Sequence, residues 1–388
     1  MRTSTSDRAG ARITKLVPRT PPTPDPLGQP PDGRVPARLQ SLDAYRGLIM
    51  FTLLCGGIFQ SLKGHPLWNW LAVQNEHVAW QGCVYWDLIQ PSFMFMVGVA
   101  MPFAFARRAA LGESWGRRFR HTLIRAFSLI LLGVLLDHFG SDKIQIGFIR
   151  VLQQIAFGYV AASFVVGRSF RTQGLVATVV LIAYQLLWMF NPWNGPAGPW
   201  ALGNENIGSA FDHWLLGRNY SGYYVGLNAI PSTATILFGV MAGQWIQQGT
   251  DRRGVCRTLL IAGLAGIALG LAVSPWFPLI KRIWTPSFAV FTGGCTTLIL
   301  LAFYWLIDVI GWKRWSFLLV VVGMNSIAAY ALGNAFGGWF RSLSGAWIAW
   351  LKAPLGETGF PVLRQALFAA AAWGVLYWLH RRKIFFKL

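Results

Sequence analysis

Apolar runs of 17 to 23 residues, separated by short polar stretches, dominate this chain and restrict its fold more than any other feature. A run of that length crosses the roughly 30 Å hydrocarbon layer of a bilayer as a helix. Hydrocarbon offers no partner to backbone N–H and C=O groups, so only helices and closed barrels can span it. Continuous apolar runs, rather than alternating ones, select helices. Composition agrees: 54% of the 388 residues are hydrophobic and 12% are charged, about half the charge of an ordinary soluble chain. The expected fold is therefore all-α, a polytopic transmembrane helical bundle.

The runs place candidate spans at 44–62, 84–106, 121–137, 147–167, 173–190, 225–247, 256–274, 286–308, 316–335 and 362–380, about 10 in all. The apolar, Trp-rich and glycine-laden stretch 336–351 reads as interfacial or re-entrant. Residues 1–37 are rich in Pro, Gly, Thr and Arg and hold little that could pack, which predicts a disordered cytoplasmic tail before a transmembrane domain at 38–388. The tail lacks the apolar core of a signal peptide, so the first span is expected to direct insertion.

Charge orients the layout. With the N-terminus in the cytoplasm, 25 of the 34 Lys and Arg residues fall in cytoplasmic segments and 9 on the other side. That bias is the positive-inside pattern and predicts that the N- and C-termini are both cytoplasmic. It also accounts for the net charge of +20 without a nucleic-acid partner. The four cysteines, Cys55, Cys83, Cys256 and Cys295, have neither metal-ligand nor disulfide-framework spacing, so no metal is expected.

Two segments on the non-cytoplasmic side, about 61–83 and 191–224, are rich in Trp, Asn and Gly and poor in charge. Such loops can cap a bundle with aromatic belts, or stack on sugar rings while amides bond to hydroxyls. His77 stands in the first, within N-E-H-V-A-W-Q-G-C-V-Y-W-D, beside Glu76 and ten residues before Asp87. An imidazole there can take a proton from an incoming amine or carry an acyl group, and a carboxylate can orient its second nitrogen. A polar interfacial histidine is the plainer reading. Asp87 and Asp43 both begin apolar spans, where a carboxylate marks function or a structural ion pair. Asp43 lies three residues from Arg46 on one helix face, and the two can pair locally.

Further polar residues are spread through later spans: Arg150, Gln153 and Gln154, then Lys281 and Arg282, then Asn325 and Ser326. They can line a central cavity or serve as interhelical hydrogen bonds. No P-loop, H-E-x-x-H or G-x-S-x-G motif is present, so nucleotide, zinc and serine-hydrolase chemistry gain no support.

R-L-Q-S-L-D-A-Y-R-G-L (38–48), H-V-A-W-Q-G-C-V-Y-W-D-L-I-Q-P-S-F-M-F-M-V-G (77–98), R-V-L-Q-Q-I-A (150–156), I-P-S-T-A-T-I-L-F-G-V-M-A-G (230–243), W-T-P-S-F-A-V-F-T-G-G (284–294), G-M-N-S-I (323–327) and the tail R-R-K-I-F-F-K-L (381–388) occur in this order. Together they resemble the heparan-alpha-glucosaminide N-acetyltransferase family, in its bacterial branch. The resemblance implies a multi-pass protein of a bacterial inner membrane. It would move an acetyl group from cytoplasmic acetyl-CoA, the acyl donor, to an amino sugar or glycan on the far side. His77 matches the family's catalytic histidine, and Asp87, Gln153 and Asn325 match polar core positions.

On this basis His77, Asp87 and Asn75 are the catalytic candidates, with Asn75 or Asn325 as oxyanion donor. Gln153, Asn325, Arg150 and Lys281 are the donor-binding candidates, and basic residues of 107–125 or 252–257 would meet the phosphates. Expected partners are acetyl-CoA, the amino sugar or glycan and bilayer lipid, with a homodimer admitted. Three departures stand out. Gly57 occupies a position where relatives place Asn, with Asn75 as a substitute. An Asp-Pro-Glu-Gly segment of bacterial relatives is replaced by S-G-Y-Y-V-G-L-N-A (221–229). The Pro-Gly that usually precedes V-L-Q is absent. A membrane transporter, a non-catalytic scaffold and a glycan O-acyltransferase are the competing classes.

Overall fold

The computed structural model describes residues 39–139 and 146–386, and the N-terminal segment expected to be a disordered tail lies outside them. Fourteen α-helices, joined by short 3-10 and π turns, account for the architecture, and no strand occurs among the described residues. They are α1 (Gln40–Gln60), α2 (Asn69–Gln74), α3 (Ile89–Ala110), α4 (Trp115–His138), α5 (Val151–Ser163), α6 (Phe170–Met189) and α7 (Ile207–Leu216). Then follow α8 (Ala229–Gln248), α9 (Arg252–Val273), α10 (Pro286–Phe303), α11 (Phe317–Met324), α12 (Ser326–Ala331), α13 (Gly337–Trp347) and α14 (Lys352–Arg381).

Among the described residues eight helices are long and apolar enough to cross a membrane, and a ninth span results if α11 and the limb Ser326–Trp347, bent by 71°, are taken as one. This is fewer than the ten expected, and the difference is 147–167. The helix there, α5, has 13 residues. At 1.5 Å per residue it measures about 20 Å, short of a bilayer's hydrocarbon. Its start is fixed by Arg150, whose backbone is extended and whose N–H donates to the Gln153 side chain. The second difference is at 316–335, expected as one continuous span: the chain breaks at Asn325, whose φ of −123° and ψ of 42° are not helical.

Burial sorts the spans into a centre and a rim. The apolar windows of α1, α3 and α8 are 61–67% buried, whereas those of α4, α6 and α9 are 22–33% buried. The rim helices turn Phe127, Leu131, Val179, Ile182, Ile261 and Leu264 outward, the face that hydrocarbon covers in a membrane. At the centre, α3 and α8 approach backbone to backbone. A Cβ on Gly98 would stand 2.0 Å from the Ile236 carbonyl, and one on Gly239 2.0 Å from that of Phe95. Small residues at such a crossing let van der Waals packing replace the hydrophobic drive that lipid does not supply.

Candidate active site

The C-terminal end of α1 supports the segment that carries His77. Gln60 Nε2 donates to the Asn75 carbonyl at 3.0 Å, and Thr52 shares a 3.0 Å hydroxyl contact with Tyr85. Between these anchors the chain 75–88 folds over the start of α3, so that two side chains ten residues apart meet. His77 Nδ1 lies 2.6 Å from Asp87 Oδ1. Asp87 is 1% exposed, and the backbone N–H groups of Val78 and Val84 both point to its Oδ2 at 3.4 Å. A carboxylate oxygen can only accept here, so the 2.6 Å separation makes Nδ1–H the donor. In the neutral ring Nε2 is then the atom that carries the lone pair, on a side chain that is 39% exposed.

A third group enters from 204 residues further along. Lys281 Nζ lies 3.4 Å from Asp87 Oδ1 and 3.3 Å from His77 Nδ1. Because the Nδ1 proton is directed at Asp87, the ammonium's partner is the carboxylate. Lys281 sits in a tightly closed turn: Thr285 N–H donates to the Ile280 carbonyl, Ile280 N–H to Thr285 Oγ1, and Trp284 N–H to the Lys281 carbonyl. The turn passes through Trp284 at φ 52°, a left-handed conformation that a bulky residue adopts only under constraint. Its fully buried indole, donating to Thr235 Oγ1, supplies that constraint. Burial pushes the Lys281 ammonium down to about 8, with Asp87 opposing the shift. Gly82 N–H bonds the Leu279 carbonyl at 2.8 Å and ties the two loops together.

Aromatic and amide groups surround this centre. Trp86 meets the His77 ring edge-on at 6.4 Å, Tyr223 meets Trp80 likewise at 6.5 Å, and Arg282 lies over Tyr224 at 5.7 Å. Beneath them a buried amide relay runs from Gln90 through Gln154 to Asn228, whose Nδ2 donates to the Arg282 carbonyl at 3.1 Å. The sequence does not single out Trp80, Trp86 or Tyr223 as site residues, and it offers Arg282 only as a polar residue able to line a cavity or bond between helices. The clue available was a Lys-Arg pair in a loop with no acid beside it.

The other expected site residues lie apart from the centre or are already engaged. Asn75 is buried, but its side-chain N–H donates to the Leu71 carbonyl at 2.9 Å and its Oδ1 is unpartnered. Glu76 pairs with Lys63 at 2.8 Å, so the carboxylate that orients His77 is Asp87. Of the four donor-binding candidates, only Lys281 touches the centre. Gln153 caps α5, and Arg150 binds Asp137 and Asn334. Asn325 is at the opposite end of the bundle, where Gly323 abuts the Asp43 carbonyl. Both its amide atoms hold the chain end, through the Ile384 carbonyl and the Phe386 N–H. Asp43 does lie within 3.9 Å of Arg46, the local pair its spacing allowed.

Gly57 is explained by packing. A Cβ there would meet the Gln365 side chain at 2.8 Å, and Gln365 donates to the Leu54 carbonyl at 2.7 Å. An amide contributed by α14 thus fills the space where an Asn on α1 was expected. Among the described residues no three His, Cys, Asp or Glu side chains are gathered as a metal would need.

No family model matches the chain. It is 24% identical over 459 aligned residues to human heparan-alpha-glucosaminide N-acetyltransferase, covering 99% of this chain and 66% of that protein. The mouse protein of the same name is also 24% identical, over 434 residues, with 94% of this chain and 63% of that one covered. The chain thus spans about two thirds of the length of these relatives.

Proposed function

We propose that this protein transfers an acetyl group from acetyl-CoA to the amine of an amino sugar, with the two substrates reaching it from opposite faces of a membrane. The observation that carries the reading is the unclaimed Nε2 of His77, with Nδ1–H fixed by a buried carboxylate. That is the arrangement a general base or nucleophile requires. The likeness to two N-acetyltransferases supports the same chemistry.

In the direct route, Nε2 takes a proton from the attacking amine as its nitrogen bonds to the thioester carbonyl carbon. The tetrahedral intermediate expels the CoA sulfur, which leaves with the proton returned by the imidazolium. In the two-step route, Nε2 attacks first and CoA leaves as the thiolate, which is protonated only when the amine gives up its proton in the second step. The amine then takes the acetyl group from the ring, and Nε2 is free again. Both routes need Asp87 to hold the ring and stabilise its positive charge. Arg282, Trp86 and Tyr223 offer the polar and stacking surface that an amino sugar would use. With the charge bias setting orientation, His77 faces away from the cytoplasm. The donor phosphates would then meet basic side chains at the opposite end, where His380, Arg381, Lys383 and Phe385 line an open pocket of about 520 Å³.

The test is acceptor choice. Detergent-purified protein is given acetyl-CoA with glucosamine, or with the same sugar lacking the amine, and products are read by mass spectrometry. N-acetylated sugar and free CoA in equal amounts are expected with the amine alone. Acetylation of both sugars at similar rates would favour a glycan O-acyltransferase. No product from folded protein across a panel of amino sugars, together with sugar flux in vesicles, would make the protein a carrier.

A further inference from the structure

We infer that Lys281 is a positioning residue of the His77–Asp87 pair: its ammonium, set against the Asp87 oxygen that His77 binds, offsets the carboxylate and keeps the ring from holding a second proton. The inference rests on the proposed acetyl transfer for its meaning, but not for its test.

The physical argument starts from an isolated pair. A buried carboxylate 2.6 Å from an imidazole strongly favours the imidazolium, because the ion pair is the better-satisfied state where water is scarce. An imidazolium has no lone pair and can neither accept a proton nor attack a thioester. A second cation on the same oxygen removes most of that bias. Lys281 is placed to do so, at 3.4 Å from Asp87 Oδ1, with its side chain 6% exposed. The arrangement is costly to build, since a buried ammonium must be desolvated. A buried cation held on the very oxygen that orients His77 points to a role beyond packing.

The other groups facing the pair do not substitute for it. Burial pushes the Cys83 thiol up to about 12, so it is neutral at physiological pH. Glu76 is engaged by Lys63 at the surface, and Arg282 lies over Tyr224. Burial also moves the Lys281 ammonium itself toward neutrality, so its offset is present at pH 7 and lost as pH rises beyond about 8.

Diethyl pyrocarbonate, which reacts with neutral imidazole, reads the ring directly. The rate of His77 carbethoxylation against pH is followed by peptide mass spectrometry in wild type, Lys281→Met, Lys281→Gln and Lys281→Arg. The midpoint should rise by one pH unit or more in the Met and Gln variants and stay near wild type in the Arg variant. Acetyl transfer should follow the midpoint, falling about tenfold below pH 7 in the neutral variants and recovering as pH rises. An unchanged or lowered midpoint in folded Met and Gln variants would overturn the inference. Failure of both to fold would assign Lys281 to structure alone and overturn it equally. Absence of transfer by wild type would instead count against the proposed function and leave the midpoints readable.

Discussion

Two clusters in this protein pair a cation with a carboxylate, and they differ in what is left over. In the Arg150 cluster, Arg150 binds Asp137 and Asn334, and both charged side chains are about one quarter exposed. Arg150 Nε and Nη1 both donate within the cluster, and the result anchors the start of α5 to the end of α4. In the His77 cluster, Asp87 and Lys281 are nearly sealed, yet the imidazole they hold is 39% exposed and its Nε2 meets no hydrogen-bond partner among the described residues. Charge alone does not distinguish a site from a brace. An oriented group with an unused, accessible atom does.

Substitutions can break this contrast, beginning where the effect should be largest. His77→Ala should lower acetyl transfer by about 1000-fold or more, within the range for a positioned acid–base group. Its elution profile and melting temperature should stay close to wild type. Asp87→Asn keeps the shape but can donate to Nδ1 and turn the ring, so a loss of about 100-fold is expected, together with a drop in melting temperature from the unpaired Lys281. Arg150→Met should do the opposite. It should cost about 1 kcal/mol of stability, as for a half-exposed ion pair, and leave transfer per folded molecule within about threefold. A large catalytic loss there would return Arg150 to the donor-binding role its sequence context first implied.

Two smaller effects sharpen the account. Gly57→Asn should destabilise by about 1–3 kcal/mol through its clash with Gln365. Adding Gln365→Ala should recover part of that, a coupling visible in a thermal double-mutant cycle. Asp212, in α7, is a third buried carboxylate. It is bonded only to the Gly226 N–H in close contact, and burial raises it to about 6. Its folded state therefore holds a proton that the unfolded chain releases near pH 4. Stability should fall as pH rises between those values, by up to about 3 kcal/mol, and Asp212→Asn should flatten the fall in melting temperature over that window.

Much of the fold was legible because bilayer length writes itself into sequence as apolar runs. Where the long apolar helices are fewer than the expected spans, backbone detail is responsible. Arg150 delays the start of α5, and Asn325 breaks its span to hold Ile384 and Phe386, which no periodicity reports. The site was legible only in its local half. His77 and Asp87 are ten residues apart, so their neighbourhood could be suspected from spacing and resemblance. Lys281 reaches the His77–Asp87 pair from 204 residues beyond His77, and Gln365 reaches Leu54 across 311 residues. Contacts of that range follow from how helices pack, and a single chain carries no local mark of them.

The most direct test uses sealed proteoliposomes carrying uniformly oriented protein, with labelled acetyl-CoA on the face opposite His77 and glucosamine on the His77 face. The account predicts labelled N-acetylglucosamine on the glucosamine side with wild type and none above background with His77→Ala. Equal product from both proteins, or product confined to the acetyl-CoA side, would contradict it.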